Sequence, residues 1–208
     1  EPLKSFKLCE AGEVLHCIVM AGYAKSKNDS AESYEYIYKA CNEKLPIACL
    51  EGAATEFRLG TNTGIINAVE LLQIGCEKYK NQDACNTLKG FAEKIKDEIV
   101  SLRMKCDNKD ITTCNFIGML DLYLSNYEFA AKALSYVCKE KKRNCNLASA
   151  ALIKIGNFSS AVDIGMNACN ETRKEGCYNV ACAYCKLGKL DEALSALQKV
   201  IDEKRITK

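Results

Sequence analysis

Histidine and proline are almost missing from this chain: His16 is the one histidine in 208 residues, and Pro2 and Pro46 are the two prolines. A single imidazole leaves no material for most His-dependent triads or zinc-hydrolase patterns, and His16, beside Cys17, reads as a helix-start residue. Charge of one sign is missing too. The 29 basic and 27 acidic residues are mixed along the sequence, for a formal net charge of +2, so no field gathers nucleic acid or an anionic membrane. The densest basic stretch, Lys139 to Arg143, is interrupted by Glu140 and falls in an expected loop. No apolar run approaches the roughly 20 residues of a membrane span, and no Gly-rich phosphate-cradling loop occurs. No signal peptide is present, and the chain opens on Glu1, which fits a processed or trimmed protein.

Cysteine, by contrast, is abundant. The fourteen fall as Cys9/Cys17, Cys41/Cys49, Cys76/Cys85, Cys106/Cys114, Cys138/Cys145 and Cys169/Cys177, with six to eight residues between partners, plus Cys182/Cys185. Structural zinc expects closer Cys-x2-4-Cys pairs, usually with histidines. Disulfides fit better, and they imply an oxidising compartment: a bacterial periplasm, the secreted space or an equivalent intermembrane space. Asn28, Asn157 and Asn170 each begin an N-x-Ser/Thr triplet, which leaves eukaryotic secretion open.

The cysteines also set a period. The second members of successive pairs are 29 to 36 residues apart, and three units (Cys17 to Cys41, Cys114 to Cys138, Cys145 to Cys169) keep an internal distance of 24. Between Cys49 and Cys76 the distance is 27, with the excess in "LGTNTG", and between Cys85 and Cys106 it is 21. A repeat of this length is the mark of a helical array. Each unit reads as two helices. In the last, Leu190, Ala193, Leu194, Leu197 and Ile201 share one face at helical spacing. Turn signals recur as "SN" at 125, "GN" at 156 and "GK" at 188. Small residues mark close helix approach: Ala21, Gly118, Ser149 and Ala181 in first helices, and Ser33, Ala68, Ala130, Ala161 and Ala193 in second ones.

"NVACAYCKLGKLDEALSALQKVI" resembles a tetratricopeptide repeat, with Ala181, Tyr184, Gly188, Ala193, Leu197 and Val200 at its signature places. "YKACNEKLPIAC", with its seven-residue gap, resembles the Helicobacter cysteine-rich protein family of disulfide-stapled Sel1-like solenoids, and the similarity runs from about Cys9 to Lys204. The resemblance implies an all-α, right-handed α/α solenoid of about six TPR/Sel1-like helical pairs. It makes 1–208 one repeat domain, with units at about 10–41, 42–76, 77–106, 107–138, 139–169 and 170–204. The eight residues before Cys9 are too few for a full second helix, which fits one segment of a longer array. A bridge across each connecting loop (Cys9–Cys17, Cys41–Cys49, Cys76–Cys85, Cys106–Cys114, Cys138–Cys145, Cys169–Cys177) would staple the joints. Within-unit bridges such as Cys17–Cys41 are geometrically open as well. The local scheme is favoured because it uses twelve cysteines without remainder, whereas within-unit pairing strands Cys9 and Cys177. Pro46 then helps to keep one helix from running into the next.

In arrays of this kind the first helices line a concave groove. The positions carried over include Ile18, Gly22 and Lys25 early in the chain, and as candidate binding residues Phe57, Arg58, Asn86, Asn115, Met119, Leu122, Tyr123, Asn146 and Tyr178. Asn86, Asn115 and Asn146 recur at one place in three consecutive units. Their amides could hold a peptide backbone, or they cap and pair with neighbouring turns. The resulting expectation is a protein-interaction scaffold with a peptide or protein partner, no cofactor, no metal and no catalytic role. Two alternatives stand beside it. One is a thiol-active protein using Cys182 and Cys185, although mid-helix positions lack the activation that redox cysteines find at helix N-termini. The other is a β-lactam-binding or hydrolysing protein, an activity linked to some members of the family it resembles. No serine here has a lysine three positions on, and Lys-Thr-Gly is absent.

Overall fold

A computed structural model describes residues 2–43, 45–170 and 174–206. Among them there are thirteen α-helices and no strand. The chain divides into two compact units, Glu1–Lys96 and Asp97–Lys208. The first holds α1 (Pro2–Glu10), α2 (Val14–Ser26), α3 (Ser30–Asn42), α4 (Pro46–Arg58), α5 (Asn62–Glu77) and α6 (Gln82–Lys94). The second holds α7 (Lys96–Asp107), α8 (Ile111–Tyr123), α9 (Tyr127–Lys141), α10 (Cys145–Lys154), α11 (Phe158–Asn170), α12 (Lys174–Lys186) and α13 (Leu190–Ile206). Residues 171–173, inside the sequence unit expected at 170–204, lie outside the described residues.

The period is written into the backbone. Asn28 (φ 59°), Gly60 (64°), Ser125 (64°), Gly156 (76°) and Gly188 (75°) take the left-handed conformation just past α2, α4, α8, α10 and α12. This is how a helix ends in a Schellman turn. The N–H that follows then reaches back five residues: Asp29 to the Ala24 carbonyl, Asn126 to Asp121, Asn157 to Leu152 and Lys189 to Tyr184, at 2.8 to 3.0 Å. Asp29 serves twice, because its carboxylate accepts the Glu32 N–H at 2.9 Å and caps α3. Between pairs, Gly12, Lys80, Lys109 and Lys142 also have positive φ. Pro46 opens α4 as a first-turn residue, where its missing N–H has no helical partner to lose. No left-handed turn separates α6 from α7. Ile95 alone lies between them, at φ −100° and ψ 10°, inside a run of strong helix formers, "AEKIKDE", that holds no turn residue.

Within each unit successive helices pack as neighbours, except that α7 meets α8 mainly through the Cys106–Cys114 bridge and the Arg103–Asp121 pair, and small side chains mark the crossings. Ala21, Ser33, Ala68, Gly118, Ala130, Ser149, Ala161, Ala181 and Ala193 are all buried. A methyl group on Gly118 would lie 2.9 Å from Leu134 Cγ. Two crossings carry a mirrored hydrogen bond: Ser33 Oγ on α3 donates to the Ala21 carbonyl on α2 (3.1 Å), and Ser149 Oγ on α10 donates to the Ala161 carbonyl on α11 (2.8 Å). Around these contacts the first unit buries Met20, Tyr36, Leu71 and Leu72, and the second buries Leu134, Leu152, Val162 and Ile164.

Six disulfides join Cys9–Cys17, Cys41–Cys49, Cys76–Cys85, Cys106–Cys114, Cys138–Cys145 and Cys169–Cys177, with Cα atoms 4.4 to 4.9 Å apart. Each runs from the last turn of one helix to the first turn of the next, across the connection between pairs. Cys182 and Cys185 on α12 remain free thiols.

Candidate functional site

Two helix faces meet at an open cleft in the first unit. The α2 spacing sets Ile18, Gly22 and Lys25 along one edge, and α4 sets Glu51, Gly52, Thr55 and Glu56 along the other. Ser33 and Ile37 of α3 form the floor. The cleft has two joined parts, of about 220 and 210 Å3, that share Lys25, Ser33 and Thr55. One carries the polar side chains Asn28, Ser30 and Glu56 among apolar wall, closed by Leu59. The other is mostly apolar, walled by Ile18, Ala21, Ile37 and Ala48. Gly22 keeps this space clear, since a methyl group there would meet no heavy atom within 4 Å.

Glu56 is the unusual group in this wall. It is 3% exposed, and its Oε2 accepts one hydrogen bond, from Asn67 Nδ2 at 2.9 Å. Burial pushes its carboxyl above the ordinary carboxylate range, against the opposing pull of the Asn67 hydrogen bond and the Lys25 charge. Lys25 acts on it across the cleft without forming an ion pair. The residue falls seven positions after Cys49, on the buried face made by Cys49, Gly52 and Ala53. Asp121 stands at the same place after Cys114, behind Ile117 and Gly118, and is fully buried. Its carboxylate is occupied: Arg103 Nε donates to Oδ2 at 2.9 Å, Arg103 Nη2 donates to Oδ1, and Asn126 Nδ2 donates to Oδ1 at 2.9 Å. The sequence reading missed both acids. The signal was a carboxylate at helical spacing on an apolar face.

The residues expected to line a groove are distributed unevenly. Ile18, Gly22 and Lys25 do face the cleft. Phe57 turns away to meet the Phe91 ring at 4.9 Å, and Arg58 is exposed with its Nε on the Ala54 carbonyl. Asn86 is exposed and accepts from Gln82. In the second unit, Asn144 at the start of α10 donates to Asn115 Oδ1 (2.6 Å) and reaches Met119 Sδ (3.5 Å). Asn179 of α12 donates to the Asn146 backbone carbonyl (2.8 Å). Neighbouring first helices are thus joined by asparagine side chains. Leu122 belongs to the core, and Tyr123 is half-buried.

Tyr178 is exposed and stands one helical turn before Cys182 on α12. The neighbouring Cys182, chiefly through its charge, and slight burial raise the phenol above its ordinary value. Cys185 is exposed in the last turn of α12. Among the described residues no three His, Cys, Asp or Glu side chains gather as a metal site.

Fold and cystines together define an all-helical protein whose sequentially packed helices are stapled at their joints, of the kind made in an oxidising compartment. No described helix is long and apolar enough to cross a membrane. No protein-family profile matches the chain, and no curated protein matches its sequence.

Proposed function

We propose that this protein is a binding scaffold of the periplasm or secreted space: a right-handed α/α solenoid of about six TPR/Sel1-like pairs that holds a peptide or protein partner along its first helices. The observation that carries the reading is the open, partly apolar cleft between α2 and α4, at positions where arrays of this kind bind. The small volume of each part suits side chains of a polypeptide better than a drug-sized molecule. The reading requires no cofactor and no catalytic centre.

A photo-reactive residue placed at Gly22, inside the cleft, tests this against one placed at Glu35, which is exposed on α3. In an extract of the protein's own compartment, the probe at 22 is expected to form a discrete adduct that the probe at 35 does not. Equal labelling from both, or none from 22, rejects the groove.

One observation favours a second reading. Twelve cysteines are bridged, while Cys182 and an exposed Cys185 are left as thiols three residues apart, with Tyr178 one helical turn before the first. A thiol-active protein would lose its function in the Cys182→Ser/Cys185→Ser variant, whereas groove binding would survive it. A penicillin probe should fail to acylate the protein, which would remove the β-lactam reading.

A further inference from the structure

We propose that the polar end of the α2–α4 cleft is a pocket for an arginine side chain of a protein partner, with the guanidinium on the Glu56 carboxylate and the aliphatic stem against Ile18 and Ile37; this rests on the groove-binding reading above.

The chemistry of the wall selects the occupant. A nearly buried carboxylate offers about four acceptor sites, and among the described residues Asn67 fills one of those on Glu56. The hydroxyls beside it are also acceptors in practice. Ser33 spends its proton on the Ala21 carbonyl and Thr55 spends its own on the Glu51 carbonyl, which leaves only lone pairs for a ligand. Such a set of acceptors calls for a cation with several N–H donors. Guanidinium has five in a planar fork, and it is less strongly hydrated than ammonium, so it enters a partly buried site at lower cost. The apolar half of the cleft takes the methylene stem, as long cationic side chains require.

The molecule holds its own precedent. Asp121 occupies the same repeat position as Glu56, seven residues after the opening cysteine, and its buried carboxylate is clasped by the Arg103 guanidinium. Among the described residues, no arginine reaches the matching carboxylate on α4. Lys25 is the nearby cation, yet it forms no ion pair with Glu56; it acts as a competitor that a better-matched donor displaces.

The test is a titration of the 15N-labelled full chain with the blocked peptide Ac-Ala-Ala-Arg-Ala-Ala-NH2, and with the same peptide carrying citrulline in place of arginine. The arginine peptide should shift the amides of Lys25, Ser33, Thr55, Glu56 and Asn67 in a saturable way. Citrulline, which keeps the shape and loses the charge, should bind at least about tenfold more weakly, as expected for loss of a charge-assisted hydrogen bond. Glu56→Gln, which keeps the Asn67 contact, should remove the preference for arginine, and Lys25→Gln should tighten arginine binding. Equal binding of the two peptides, or an affinity unchanged by Glu56→Gln in a variant with a native-like spectrum, overturns the proposal. Shifts at Asn115, Tyr123 or Tyr178 instead would reject this pocket while leaving groove binding standing; a failure of the photo-crosslinking at Gly22 would reject both.

Discussion

Gly22 and Gly118 should respond in opposite ways to a single methyl group. Gly22 is helical, exposed and faces open space, so Gly22→Ala should stabilise the protein by about 0.5 to 1 kcal/mol through helix propensity alone. Gly118→Ala forces a methyl to 2.9 Å from Leu134 Cγ and 3.1 Å from Ala133 Cβ, an overpacking that should cost about 1 to 3 kcal/mol. Urea midpoints of the two variants give both signs. Glu56 adds a pH dependence. Its carboxyl is harder to ionise in the folded chain than in the unfolded one, so folding favours the protonated form. Below the ordinary carboxylate range both states are protonated and the residue is neutral in effect; as pH rises through that range the unfolded chain ionises first, and stability falls. Glu56→Gln should therefore raise the melting temperature at pH 7 and do little at pH 3, with Lys25 the charged group that moderates the effect. A gain that is the same at both pH values would contradict this. Glu56 was only half legible in sequence. Its place seven residues after Cys49 marked a buried face, but a glutamate between Thr55 and Phe57 reads equally as a solvated residue. Which side the helix presents is decided by tertiary packing.

The helices were the most legible level, because their ends carry chemistry visible in sequence. "GN" and "GK" each supply a glycine that takes positive φ, at Gly156 and Gly188, whereas in "SN" it is Ser125 rather than the more tolerant Asn126 that takes it. The junction of α6 and α7 was not legible: the short spacing from Cys85 to Cys106 signalled a cut unit, but "AEKIKDE" has nothing that says how a helix ends there. The groove residues were carried over from a resemblance, and α4 shows why that transfer is partial. Phe57 and Arg58 are taken up by Phe91 and by the Ala54 carbonyl, while Gly52, Thr55 and Glu56 turn to the cleft. At this scale Asp121 is the joint with the most to lose. It binds Arg103 of α7 and Asn126 of the next turn, and the Arg103 guanidinium lies 5.0 Å from the Phe129 ring of α9. Asp121→Ala strands the Arg103 charge and should cost about 3 to 5 kcal/mol. Hydrogen exchange should show the loss first in the amides of α7, α8 and α9. A cost under about 1 kcal/mol would put this ion pair among the dispensable ones.

In both units the buried positions are rich in alanine, glycine and cystine and hold few large side chains, a composition that lets helices pack close but leaves less apolar area to bury. The cystines offset this. Each closes a loop of seven to nine residues between neighbouring helices, and on the chain-entropy view each removes about 2 to 3 kcal/mol of unfolded-state freedom. The pairing was legible because adjacent cysteines recur with the repeat, and a bridge between sequence neighbours needs no long-range information. Cys182 and Cys185 fall outside that pattern and stay reduced. Local staples at the joints of successive helices hold this protein together outside the reducing cytoplasm. Alkylation of the untreated protein under denaturing, non-reducing conditions, followed by intact mass and peptide mapping, tests it most directly. The expected result is two alkylated cysteines, 182 and 185, with six bridges between sequence-adjacent partners. A Cys17–Cys41 type of bridge, or a majority of alkylated cysteines, would contradict the account.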